Sequence, residues 1–101
     1  MAGIKIAGYD EQKSVRSAEN TVIVFKLSGA PGKTWIDTFQ KAREKNKNVP
    51  LHNVAFQNQE LTVYAPNNLT AQQILDELKR CAEAANSLEG DFKKQLSELK
   101  F

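Results

Sequence analysis

The sequence predicts an α+β fold, a two-layer β-β-α-β-β-α sandwich in which a four-stranded, mostly antiparallel sheet carries two helices on one face. Two observations lead to this prediction. Short apolar or alternating segments typical of strands occur in two pairs, with one helical segment between them. The last third of the chain, residues 69–101, then repeats apolar residues at intervals of four and three, which is typical of a long helix. We expect residues 1–101 to form a single domain, since 41% hydrophobic residues are enough for a core without disulfides or metal.

The two strands of the first pair are expected at different positions in the sheet, one at its edge and one in its centre. Gly3–Tyr9 alternates isoleucine with lysine and alanine, which predicts a first, edge strand. The mostly polar stretch Asp10–Asn20 predicts a long surface loop, and long loops often carry contact residues. Thr21–Leu27 is apolar on both faces, which predicts a central strand. Its Val22 and Val24 then need a cover, which a second subunit, the N-terminal segment or a partner could provide.

The middle of the chain predicts a helix followed by a hairpin. The helix should begin within Pro31–Thr34 and end at about Asn46, because proline suits a first helical turn and Val49 precedes another proline. The segments His52–Gln57 and Glu60–Ala65 then predict two strands joined by a two-residue turn.

The long C-terminal helix has a clear predicted start and an ambiguous end. Thr70 and Gln73 have the spacing of a capping box. Its apolar seam consists of Ile74, Leu78, Cys81, Ala85, Leu88 and Phe92, of which Ile74 to Leu88 should pack on the sheet. Gly90 leaves two alternatives, a separate C-terminal helix over residues 91–101 or one helix that projects from the domain.

Apolar residues in excess of what the core needs predict a self-association surface. Beyond the seam come Leu96, Leu99 and Phe101, and the far face of the sheet adds valines and a tyrosine. The predicted interface of a homodimer therefore consists of Val22, Val24, Tyr64, Phe92, Leu96 and Leu99.

The charge distribution offers an alternative partner. The net charge is only +2, but residues 1–50 carry nine basic and five acidic residues, while residues 51–101 carry five and seven. The basic residues near the first helix are Lys33, Lys41, Arg43, Lys45 and Lys47. They could contact nucleic acid or a protein, although no nucleic-acid module or interleaved aromatic residue accompanies them. A solvated basic helix end is the simpler interpretation.

A second alternative is a small ligand or anion at the turn Gly29–Thr34. This turn follows a strand and opens a helix, and it ends in Gly-Lys-Thr. A phosphate-binding P-loop has its first glycine five residues before the second, where this chain has Leu27. A structural strand-to-helix turn is therefore the simpler interpretation, with weak anion binding at Lys33 as the functional one.

The sequence predicts no catalytic residue, metal site or cofactor. His52 and Cys81 are single and far apart in the chain, and the carboxylates near Arg80 have the spacing of helix-supporting ion pairs. One cysteine favours a reducing compartment, and no apolar segment has the length of a membrane span or signal peptide, so we expect a cytoplasmic protein with no membrane partner.

The function that these patterns favour is a non-enzymatic protein–protein interaction module. Small homodimeric cytosolic chains of this kind act as adaptors or as stoichiometric inhibitors, including inhibitors that phages encode. Nucleic-acid binding through the basic residues and ligand binding at the turn are the alternatives.

Overall fold

The computed structural model describes residues 3–45 and 49–100. Its elements are β1 (Ile6–Arg16), β2 (Thr21–Leu27), α1 (Lys33–Lys45), β3 (Asn53–Gln57), β4 (Glu60–Ala65) and α2 (Ala71–Ser97). The predicted β-β-α-β-β-α order and two-layer α+β architecture are thus confirmed.

The four strands form one sheet in the order β1-β2-β4-β3, and every neighbouring pair is antiparallel. Because β2 and β3 both run opposite to β4, they are parallel to each other, and α1 connects them across β4. The predicted hairpin is confirmed, with Asn58 in the left-handed region at φ 54° in its turn.

The core lies between the sheet and the two helices. Leu61, Val63 and Ala65 of β4 are buried while the residues between them are partly exposed, as the alternation predicts. An aromatic group formed by Trp35, Phe39 and Phe56 joins α1 to β3, with ring centroids 5.1–6.0 Å apart. The offset and edge-to-face arrangements of these rings contribute beyond the area that they bury.

The predicted loop over Asp10–Asn20 is wrong, because β1 continues to Arg16. Its pairing with β2 is irregular between Asp10 and Val15. There the Asp10 carboxylate accepts hydrogen bonds from backbone N–H groups two and three residues further on. The Ser14 hydroxyl donates to the Asp10 carbonyl and accepts from the N–H of Val24. These polar side chains form hydrogen bonds with backbone groups that the irregular pairing leaves without a strand partner. This explains why the segment has the composition of a loop although it belongs to a strand.

The long helix α2 begins as predicted and continues without a break through Gly90. The Thr70 hydroxyl accepts from the N–H of Gln73, whose side chain in turn accepts from the N–H of Thr70. Residues 91–97 thus belong to α2, and the described chain up to residue 100 forms no separate C-terminal helix. Packing of the seam ends earlier than predicted, because Ala85 is its last buried member and Leu88 is half exposed.

Asn86 marks the point where α2 leaves the rest of the domain. Its Oδ1 accepts hydrogen bonds from the indole Nε1 of Trp35 (2.7 Å) and the backbone N–H of Ile4 (3.0 Å), and its Nδ2 donates to the Ile4 carbonyl (2.9 Å). A Cβ at Gly3 would lie 2.4 Å from Asn86 Cγ, so this approach requires glycine. We call the described residues up to Asn86 the body and residues 88–99 the arm. The arm contributes to a longest dimension of 59 Å, against 27 and 19 Å in the other directions.

Candidate interaction surface

The arm carries a stripe of four large apolar side chains along one side. They are Leu88, Phe92, Leu96 and Leu99, each between 48% and 59% exposed. Leu99 follows the end of α2, in a turn where its N–H donates to the Leu96 carbonyl. Every described residue from 91 to 100 is exposed, so the arm makes little contact with the body.

The stripe continues the phase of the buried seam. Ile74, Leu78, Cys81 and Ala85 are fully buried against the sheet, and Leu88 and Phe92 follow at the same spacing of three and four. Because this spacing keeps residues on one side of a helix, the stripe points in the direction in which the sheet lies under the body.

Charged residues flank the stripe differently on its two sides. At 100° per residue, Asp91 lies on one flank and Glu89 on the other, with Lys93 further round on that second side. Continuing this phase past Ser97, where α2 ends, places Glu98 on the first flank and Lys100 on the second. The ion pairs found among the described residues lie elsewhere, between Lys13 and two carboxylates and between Arg80 and Glu77.

A second apolar surface is a groove between β1 and α2. It has a volume of about 440 Å³. It is lined by Tyr9, Ser14, Ile23, Phe25, Ala71, Gln72 and Leu75. Tyr9 is 61% exposed there. The sequence did not predict this groove, because the predicted first strand ended at Tyr9 and no local signal shows which side of β1 the helix leaves open.

The far face of the sheet is partly covered by the chain itself. Lys13 Nζ on β1 lies 3.4 Å from the Glu60 carboxylate on β4. Since β2 lies between these strands, the Lys13 side chain crosses β2, and Val24 there is only 6% exposed. Val24 is therefore already buried within the chain itself, while Val22 and Tyr64 remain half-buried. This face and the arm belong to different layers of the fold, so the predicted interface residues form two separate groups.

The predicted basic group does not form one patch within the described residues. The half-buried Arg43 points inward, where its Nε donates to the Gln40 side chain and its Nη1 to the Leu51 carbonyl. Lys47 lies outside the described residues.

The three remaining lysines of this group share the solvent side of α1 with acidic residues. Lys33 and Lys45 stand at opposite ends of the helix, roughly 18 Å apart along its axis. Lys41 lies between them, and Asp37 and Glu44 occupy the same side. The two acidic residues make the positive electrostatic field on this side weaker than the lysines alone would make it. Nucleic-acid binding by these lysines stays a prediction.

The turn Gly29–Thr34 has an ordinary backbone. Neither of its glycines has a left-handed φ, and a Cβ at either would meet nothing within 4 Å. The Ile36 N–H already donates to the Gly32 carbonyl. Ligand or anion binding at this turn also stays a prediction.

The buried ionisable residues have structural contacts. Arg80 donates through Nε and Nη2 to both oxygens of the buried Glu77 carboxylate (2.8 and 2.9 Å), and its Nη2 also donates to the Ala42 carbonyl at the end of α1. Burial, followed by the nearby Glu77 charge, raises the pKa of the Cys81 thiol to about 11. A buried neutral thiol is a poor nucleophile, so Cys81 acts as a small core residue.

Metal-binding clusters and membrane-spanning helices are two further classes of feature to consider. Within residues 3–45 and 49–100, no group of three or more His, Cys, Asp or Glu side chains is placed to hold a metal ion. No helix in the same ranges is long and apolar enough to cross a membrane. Comparison of the chain with protein-family models, curated proteins and solved structures finds no match.

Proposed function

We propose that this protein is a non-enzymatic protein-binding module, and that the arm is its main contact surface. The observation that carries the proposal is the stripe of Leu88, Phe92, Leu96 and Leu99 on a helical segment that projects from the body. Adaptors and stoichiometric inhibitors need such a surface and no reacting groups. The simplest partner is a second copy of the chain.

The energetics of the arm support binding. The helical part of the arm, residues 88–97, is ten residues long, and a helical segment of that length without tertiary packing is marginally stable in water. Covering the exposed halves of its four large side chains would contribute roughly 1 kcal/mol each, about 4 kcal/mol together. Contiguous apolar surface of this kind typically marks a protein–protein contact site.

Position-specific photo-crosslinking in the cells that produce the chain tests the proposal. A benzophenone amino acid replaces Leu96 on the stripe or, as the matched control, Lys94 on the opposite side of the same helix. We expect a protein adduct from position 96, none from position 94, and loss of the adduct when Phe92→Asp is added. The absence of an adduct at position 96, or equal adducts from both positions, would contradict the proposal. Unchanged fluorescence of the single tryptophan checks that each variant is folded.

A further inference from the structure

We infer that the arm binds the arm of a second copy of the chain as an antiparallel helix pair, with a twofold axis near residue 94. This inference rests on the proposed function and names the partner of the same surface.

The stripe is complementary to itself in the antiparallel direction. Its spacings are four, four and three from one end and three, four and four from the other, and both series keep side chains on one side of a helix. When two arms cross near residue 94, Phe92 of each copy faces Leu96 of the other, and Leu88 faces Leu99. These reciprocal contacts are what a twofold interface requires.

A parallel pair conflicts with the position of the sheets. The stripe points in the direction of the sheet, so two parallel arms in contact would bring both bodies to the same end, facing each other. Both sheets would then have to fit between two helices, although face-to-face sheets already require about 10 Å and packed helices are only about 8–10 Å apart. Antiparallel arms place the two bodies at opposite ends of the pair, away from each other.

The flanking charges give the antiparallel pair a specific pattern. In this register Glu89 of one copy lies within one residue of Lys100 of the other, which is attractive and occurs twice by symmetry. On the opposite flank Asp91 lies equally close to Glu98 of the other copy, which is repulsive and also occurs twice. In a parallel pair the two flanks are exchanged, so Asp91 would instead lie two residues from both Glu89 and Lys93 of the other copy, with Glu89 nearer to the contact.

The size of the surface sets the strength that we expect. Two arms in contact span roughly 18 Å, and four half-exposed side chains from each copy bury less than the approximately 1,200 Å² of a standard stable interface. We therefore expect a dimer that dissociates on dilution, with an apparent mass that rises between about 10 µM and about 1 mM.

Sedimentation equilibrium on the purified full chain tests the inference with two variants that make the same charge change. Asp91→Lys replaces a repulsive neighbour by an attractive one at both symmetric positions, so we expect roughly tenfold tighter dimerisation. Glu89→Lys does the reverse and should weaken dimerisation by a similar factor. Each variant is the control for the other, because both raise the net charge by the same amount.

The outcomes separate the two proposals. Opposite responses of the expected sign support the antiparallel dimer. Tighter dimerisation of both variants indicates parallel arms, in which Asp91 of one copy faces Glu89 of the other, and overturns the inference. Opposite responses of reversed sign and equal responses of any other kind overturn it as well. A monomer at every concentration also overturns it; the proposed function then survives if position 96 still forms an adduct with a different protein, and fails as well if it forms none.

Discussion

Substitution of Asn86 by alanine should destabilise the body by about 2–4 kcal/mol, because this side chain joins three parts of the fold. Trp35 is fully buried, and its indole N–H would lose its partner, which costs roughly 1–3 kcal/mol. The two hydrogen bonds to the Ile4 backbone are partly exposed, so water can replace part of their contribution and each adds about 0.5 kcal/mol. This is a large fraction of the roughly 5–15 kcal/mol that stabilises a typical domain.

Urea denaturation followed by tryptophan fluorescence measures this effect directly, since Trp35 is the only tryptophan and itself contacts Asn86. The matched control is Ser87→Ala, an exposed neighbour on the same helix, which should change the free energy of unfolding by less than about 0.5 kcal/mol. An Asn86→Ala variant as stable as this control would refute the argument that Asn86 joins the N-terminal segment to both helices.

A double-mutant cycle adds an independent test of the same contact. Gly3→Ala alone should cost about 1 kcal/mol or more, since its Cβ displaces an Asn86 side chain that three hydrogen bonds hold in place. In the Asn86→Ala background the same change should cost almost nothing, because the obstructing atoms are gone. Equal costs in both backgrounds would show that the two residues are not coupled.

Three further predictions concern the core, the hairpin and the arm. The folded state holds the pKa of the Cys81 thiol at about 11, above its ordinary value of 9.0, so the free energy of unfolding should fall by about 2 kcal/mol as pH rises from about 9 to about 11. Cys81→Ala should remove this dependence in denaturation curves at several pH values, and an unchanged slope would assign it to other groups. Asn58→Ala should cost about 1 kcal/mol because of the left-handed φ of 54°, whereas Asn58→Gly should cost less, and equal losses in thermal unfolding would contradict this cause. Removal of residues 91–101 should change the free energy of unfolding by less than about 0.5 kcal/mol, since the described residues from 91 onward are all exposed; a larger loss in urea denaturation would show that the arm supports the body.

Local signals predicted most of the fold. The capping box at Thr70, the alternation of β4 and the turn at Asn58 each depend on a few neighbouring residues, and their structural outcome follows from backbone hydrogen bonding and side-chain direction. The number of strands and helices and their order follow from the same local patterns. The antiparallel pairs β1–β2 and β3–β4 then follow from their short connections, whereas the pairing of β2 with β4 does not.

The sequence-based predictions are wrong where contacts between residues far apart in the sequence decide the structure. The polar segment after Asp10 forms a strand because β2 pairs with it and because Ser14 satisfies the irregular backbone. The end of seam packing at Ala85 depends on where the N-terminal segment and Trp35 meet Asn86, and these lie 82 and 51 residues away in sequence. No window of neighbouring residues contains this information. The same holds for the groove beside Tyr9, which exists only because β1 lies at the edge of the sheet.

One apolar seam has two different environments along α2, and this makes the arm structurally separate from the body. Up to Ala85 the seam stabilises the body, so substitutions there alter folding and binding together. From Leu88 onward the same spacing continues without a sheet beneath it, so the arm can change its charge and shape at little expense to the fold. The packed part of α2, with Asn86 as its last contact, and the unbroken helix beyond it fix the direction in which the arm leaves the body. A fixed direction lowers the entropy lost when a partner binds. A residue that affects stability in the body thereby also determines how the stripe is presented, which is why the Asn86 variant should weaken any arm-dependent binding even under conditions where the body remains folded.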